Sequence, residues 1–408
     1  MSGVRELTMK AARRLVPDCT VGRSVSRRRL TRLHNEPGVR ELQFMKSRRR
    51  FPAVIFILFT LSSHSLALEQ SADAQQPKDA EQYHRAGVAY YDSGEYEKAI
   101  EAYRQALQLN PDSTDAWYHL GMAYSSLGRY KEAVEAYSRA LRLKPDYAAA
   151  HFNLGHAYSN LKQYDNAIKA FQQAIQHEPD NLEAYFALGY AYFDSGRDEK
   201  AAATFEEAIR RKPDNPYAYF NLGLLYFPGG PHARAVDAFT QAILRDPRYA
   251  EAYYHRALAY LYMGRGDSAA GDAEIYLSLR GWRADHSLHM AIVAHFGYLQ
   301  ARREADARRI LADAARQGDP SEWPRPVIEY LLREISAKEL FESAPDGAKK
   351  VEARAYIGLD LSMQGDKKAA LEHLRWVAEH SGSGSLTFAL AVSEMERIKA
   401  SSAVSFRR

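Results

Sequence analysis

Residues 114–147 read TDAWYHLGMAYSSLGRYKEAVEAYSRALRLKPDY, and this stretch decides the fold. Apolar residues return every three or four positions in two successive runs, the period of helices with one buried face. The first run predicts a helix over about 115–127, and the second a helix ending near Leu143. Gly128 separates them. Lys144-Pro145-Asp146 closes the second, because Pro cannot continue a helical ladder and biases the residue before it away from helix. Gly121 has no side chain, so the second helix is expected to pack close to it, presenting small Ala133 and Ala140. Trp117, Leu120, Tyr124 and Tyr137 fill the remaining space.

The pattern repeats every 34 residues, five times without a gap from Ala80 to Tyr249. Its glycines are Gly87, Gly121, Gly155, Gly189 and Gly223; its prolines are Pro111, Pro145, Pro179, Pro213 and Pro247. Ala133, Ala167 and Ala201 hold the small position of the second helix. A sixth copy starts at Ala250, keeps Tyr253, Ala257, Tyr260, Gly264 and Ala269, and ends at Gly281-Trp282. This arrangement resembles the tetratricopeptide repeat family, whose unit is a helix–turn–helix of the same length. The resemblance implies an all-α superhelical solenoid of antiparallel helix pairs. One pair cannot cover its own apolar face, so each is buried by its neighbours.

Residues 80–283 are therefore read as six repeats, 284–350 as degenerate helical repeats with an irregular connector, and 351–400 as a repeat-like pair plus a capping helix. Two copies depart from the pattern. Lys162 stands where other copies have a turn Gly, and Phe227-Pro228-Gly229-Gly230-Pro231 crosses the inner turn of the fifth. The final stretch, with Tyr356, Gly358, Gly365-Asp366, Ala369-Ala370 and Leu374, resembles the ends of exported bacterial adaptors of the new lipoprotein I type. It lacks the lipid-bearing Cys of that group.

Charge divides the chain. Of its 55 Lys+Arg and 51 Asp+Glu, residues 1–67 hold 14 and 4, leaving 41 and 47 beyond them. The mildly acidic body argues against nucleic-acid binding. Cys19 is the only cysteine, so the repeats have no disulfide, Cys-based metal site or thiol nucleophile. Lys46-Ser47-Arg48-Arg49-Arg50, the apolar run Phe51 to Leu61 and Ser65-Leu66-Ala67 follow the order of a secretory signal peptide. The run is short of the roughly 20 apolar residues of a membrane-spanning helix. Residues 45–67 are thus read as a signal for export to the periplasm or beyond, with a single-pass membrane anchor as the alternative. Residues 1–44 read as a basic tail or a start placed too early, and 68–79 as a linker.

In the family, first helices line a concave groove. Here they offer Tyr118, Phe152, Phe186, Phe220 and Tyr254 shortly before the buried Leu position, and His156 and Tyr190 one turn on. Aromatic rings supply contact area at low entropic cost. Asn153 and Asn221 share one register position, taken by His119 in the second copy. The resemblance implies that such amides face the groove and bond an extended ligand backbone, so their loss should spare the core. The Lys/Arg clamp of repeats that bind a terminal carboxylate is missing; Arg85 stands alone.

No phosphate-binding Gly loop, GxSxG or HExxH occurs. His286, His289 and His295 form the only histidine cluster, with no nearby acidic partner beyond Asp285 to complete a metal site. No enzyme, cofactor or small-molecule substrate is expected. The expected role is a scaffold or adaptor in the cell envelope for a protein or peptide partner, or else a membrane-anchored co-factor of a secretion or assembly complex.

Overall fold

Each unit of 34 residues forms two antiparallel helices. The computed structural model describes residues 79–227, 232–382 and 386–405. The tail, signal and linker readings for 1–78, and the inner turn at 228–231, lie outside the described residues. Six pairs follow the period: α1 (Ala80–Asp92) with α2 (Tyr96–Leu109), α3 (Thr114–Ser126) with α4 (Tyr130–Leu143), and α5 (Ala148–Asn160) with α6 (Tyr164–His177). Next come α7 (Leu182–Asp194) with α8 (Asp198–Arg211), α9 (Pro216–Tyr226) with α10 (His232–Arg245), and α11 (Ala250–Tyr262) with α12 (Gly266–Arg280). Each helix packs on the one before and after it. From α1 to α9, first helices also touch the first helices of adjacent repeats.

Local chemistry explains the boundaries. Ser113 and Asn181 cap α3 and α7 by accepting the backbone N–H of Ala116 and Ala184. Asn215 caps α9 with Pro216 at its first position, where a missing N–H costs nothing. The residues before the repeat prolines leave the helical region, with φ of −138° at Asn110 and −136° at Lys144.

The inner turn needs a left-handed residue. Gly94, Gly128, Gly196 and Gly264 supply it with φ between 71° and 80°, but the third copy uses Lys162 at φ 59°. A Cβ in that conformation costs about 1–2 kcal/mol, against the roughly 0.5–1 kcal/mol that glycine loses in chain entropy. Lys162→Gly is therefore expected to stabilise the protein by about 0.5–1 kcal/mol. Thermal melting checks this; an unchanged or lower midpoint would refute the strain.

The second helix does pack close to each repeat glycine, but the atoms nearest the glycine belong to an aromatic ring rather than to the alanines the pattern pointed to. A Cβ on Gly121 would sit 2.6 Å from the Tyr137 ring; on Gly155 it would sit 2.5 Å from Phe171, and on Gly189 2.4 Å from Phe205. Gly87 meets Tyr103 and Gly223 meets Phe239 in the same way. Each glycine therefore makes room for the aromatic ring sixteen residues ahead. Ala133, Ala167 and Ala201 are fully buried beside these rings.

Beyond Arg280 the stacking continues with α13 (Ser287–Gln300) and α14 (Glu304–Gln317), joined through left-handed Arg302. Residues 318–324 are irregular, as the connector reading expects, and short α15 (Arg325–Leu331) and α16 (Ala337–Ser343) follow. Then α17 (Gly347–Met363), α18 (Lys367–His380) and α19 (Leu386–Ser405) turn back onto the solenoid. Helix α17 packs on α13, with Phe296 and Tyr356 stacked 6.1 Å apart. Helix α19 reaches α11, where Arg397 donates to the Leu261 carbonyl at 3.4 Å. The expected capping helix thus folds across a first helix as well as closing the end.

Glu352 ties this return together. It accepts from His289 Nε2 at 2.7 Å and from Trp323 Nε1 at 2.8 Å, and lies 3.2 Å from Lys349 Nζ. Burial alone would raise its carboxyl, but these partners overcome it and hold it at about 2, against an ordinary 4.5. A depressed folded value means the stabilisation is full above about pH 4.5 and is lost as pH falls toward 2. Tryptophan fluorescence should report loosening of α17 over that window, and Glu352→Gln should remove this part of the acid transition. An identical acid limb in the variant would refute the assignment.

Candidate functional site

The first helices stand side by side, so their matching register positions form one continuous face. Its two ends differ. Along α3 and α5 the face is partly open: Tyr118, His119, Phe152, Asn153 and His156 are all half-buried. Asn153 Nδ2 donates to Tyr118 Oη at 2.9 Å, linking two repeats. Burial raises the Tyr118 hydroxyl to about 12. His119 Nδ1 lies 2.8 Å from the Asp115 carbonyl and 3.1 Å from His84 Nε2. Burial, and then the facing His84, push the His119 imidazole below its ordinary value. The Phe152 and His156 rings meet edge to face with their centroids 4.5 Å apart.

Between α3 and α5 lies a cleft of about 190 Å³. Tyr91, Met122, Ser125, Ser126, Asn153 and His156 surround it, with Tyr130 and Tyr137 of α4 among its walls. Tyr91 Oη and Ser126 Oγ are 3.1 Å apart across adjacent repeats. The volume falls below the roughly 300–1,000 Å³ of small-molecule pockets. It suits one side chain of a larger partner.

Along α7 and α9 the face is closed. Phe186 and Tyr190 are 5% exposed, Phe220 2% and Asn221 1%. Tyr190 Oη donates to Asn221 Oδ1 at 2.7 Å, and the Asn221 amide nitrogen has no hydrogen-bond partner. This corrects the expectation that both amides face an open groove. Bulkier neighbours, Phe193 and Phe227 at 2% and 1%, fill the space that Ser125 and Ser159 leave open in the earlier copies. Asn221→Ala should consequently destabilise by about 1–3 kcal/mol, because it leaves the buried Tyr190 hydroxyl without this acceptor. Chemical denaturation checks this; a neutral effect would restore Asn221 to the groove.

Tyr254 on α11 packs against Tyr276, His255 and His286, and burial, then Tyr276 and Glu352, raise its hydroxyl. It faces the returning α17. The structure therefore brings Tyr118, His119, Phe152, Asn153 and His156 together, and places Phe186, Tyr190, Phe220 and Asn221 in the core. The cleft residues Tyr91, Ser125 and Ser126 escaped the sequence reading. Their register, six or seven residues past the Asn position of each copy, was the signal.

Of the histidine cluster, His286 and His289 stay together with ring centroids 6.0 Å apart, but His289 pairs with Glu352 and His295 Nδ1 meets the Ala307 carbonyl at 2.9 Å. Among the described residues no three His, Cys, Asp or Glu side chains gather to hold a metal, and no helix is long and apolar enough to cross a membrane.

The sequence profile described as "Tetratricopeptide repeat" matches residues 84–148, 152–216, 199–230 and 220–281. These repeats belong to the tetratricopeptide repeat family. Proteins of this family are generally scaffolds for protein–protein interaction, and no catalytic family is indicated. Among solved structures, a crystal structure of MamA is 30% identical over 40% of this chain and 96% of its own, with a TM-score of 0.38. A tetratricopeptide repeat protein from Parabacteroides merdae is 20% identical over 63% of this chain and 98% of its own, at 0.45. YrrB, described as having an unusual peptide-binding site, is 22% identical over 47% of this chain and 97% of its own, at 0.37. No curated protein matches the chain.

Proposed function

We propose that this protein is a non-enzymatic adaptor of the bacterial cell envelope that holds a peptide or protein partner in the groove of its first three repeats. The observation that carries the reading is the contrast along the first-helix face. Asn153 and His156 line a cleft of side-chain size, with half-buried Tyr118 and Phe152 on the same face, while the fourth and fifth repeats bury the matching positions. A rigid stack of helices holds these groups in place before binding, which lowers the entropic cost of association. The envelope location rests on the basic head, apolar run and Ser65-Leu66-Ala67, supported by the resemblance of residues 351–400 to exported adaptors.

Two measurements test this. A photocrosslinking side chain at Phe152 should capture the partner, whereas one at exposed Gln172 on α6 should not; equal capture from both would remove the groove from the reading. Osmotic-shock fractionation with N-terminal sequencing should find a mature chain starting near Leu68. An intact N-terminus in the membrane fraction would replace export by anchoring.

A further inference from the structure

The first helices of repeats one to five segregate charge. They carry Glu81, Asp92, Asp115, Glu183 and Asp194 against a single guanidinium, Arg85, and no Lys. Arg85 is already held by Glu81 at 3.0 Å. Basic residues sit on the second helices instead: Lys98 and Arg104 on α2, Lys131, Arg139 and Arg142 on α4.

The helical register puts these carboxylates on the groove stripe. Asp115 lies four residues before His119, and residues four apart share a helix face. Asp92 holds the position that Ser126 and Asn160 occupy in the next repeats, and both of those border the cleft. Asp92 and Asp115 are exposed, and neither is in an ion pair among the described residues. Asp92 thus adjoins the cleft by register, while Asp115 lies in the first turn of α3, about two to three turns along the same stripe from the cleft residues Met122, Ser125 and Ser126.

We infer that the open groove takes a cationic segment of its partner, an extended stretch with Arg or Lys beside Asp92 and Asp115 and one side chain in the cleft. This rests on the proposed reading of that groove as the docking face. Charge complementarity raises the encounter rate and excludes acidic competitors. Guanidinium groups suit the site best, because they pair with carboxylates in a fork and also stack on aromatic faces.

Three fluorescent synthetic peptides on one Tyr-, Ser- and Gly-containing scaffold, carrying Arg, Glu or Gln at the variable positions, test the assignment against the whole chain. The Arg peptide should bind tightest, and its affinity should fall as salt is raised beyond about 0.15 M, where the Debye length is about 8 Å. Asp92→Asn with Asp115→Asn should weaken the Arg peptide on the order of fivefold. Glu101→Gln with Glu135→Gln, on second helices, should leave it unchanged. Equal or tighter binding of the Glu or Gln peptide, or wild-type affinity in the Asp92/Asp115 variant, overturns the cationic assignment. Crosslinking from Phe152 reads the groove independently: a groove that captures its partner yet ignores charge refutes only this inference.

Discussion

Asp272→Ala is expected to destabilise the protein by about 3–5 kcal/mol, the cost of leaving a buried charge without its partner. Asp272 and Arg256 are 6% and 14% exposed and join α12 to α11 through two bonds, Nε to Oδ2 at 2.6 Å and Nη2 to Oδ1 at 2.7 Å. Arg256 has little else to turn to: Thr240 Oγ1 accepts one bond at 3.0 Å, and the Tyr253 and Tyr260 rings flank it. Replacing both members with apolar residues, as in Asp272→Leu with Arg256→Met, should recover much of the loss, since a buried pair rarely outperforms well-packed apolar side chains. Chemical denaturation of the three proteins decides it. A single-variant cost below about 1 kcal/mol would mean that water reaches Arg256 and the pair is not truly buried.

Gly155→Leu should cost the upper end of the roughly 1–3 kcal/mol range for overpacking. Better helix propensity returns at most about 1 kcal/mol. Its Cβ alone would lie 2.5 Å from a ring carbon of Phe171, which is 1% exposed and cannot swing aside. Even Gly155→Ala should be net destabilising for the same reason. Contacts run between adjacent repeats, so the damage should stay in α3 to α8. Hydrogen exchange should rise there and remain unchanged in α13 to α19. Uniform loss of protection would show that the solenoid unfolds as one unit, and no change would refute the packing.

The repeat was legible because its causes are local. A turn residue, a proline after each second helix and an apolar period of three to four residues act within about 34 residues, and all three stand in the sequence. The helix ends accordingly agree with those read from residues 114–147 to within a residue or so. The role of the glycines was only half legible. Gly121 announces a close approach, but whether Ala133 or the Tyr137 ring makes it depends on the crossing of two helices.

The groove was harder to read because exposure is a property of neighbours. Asn153 and Asn221 occupy one register position and look equivalent in the sequence. Asn153 is half-buried because serines surround it at later positions of the stripe, whereas Phe193 and Phe227 help bury Asn221. The return of α17 and α19 onto α13 and α11 joins residues such as Arg397 and Leu261, 136 positions apart, with no period to announce it. By itself, then, the sequence determined the helix pairs, their turns and the family, since those follow from short-range backbone and packing rules. Only the tertiary structure decided which part of the first-helix face stays open, because that depends on long-range burial among side chains whose pattern, repeat by repeat, is nearly the same.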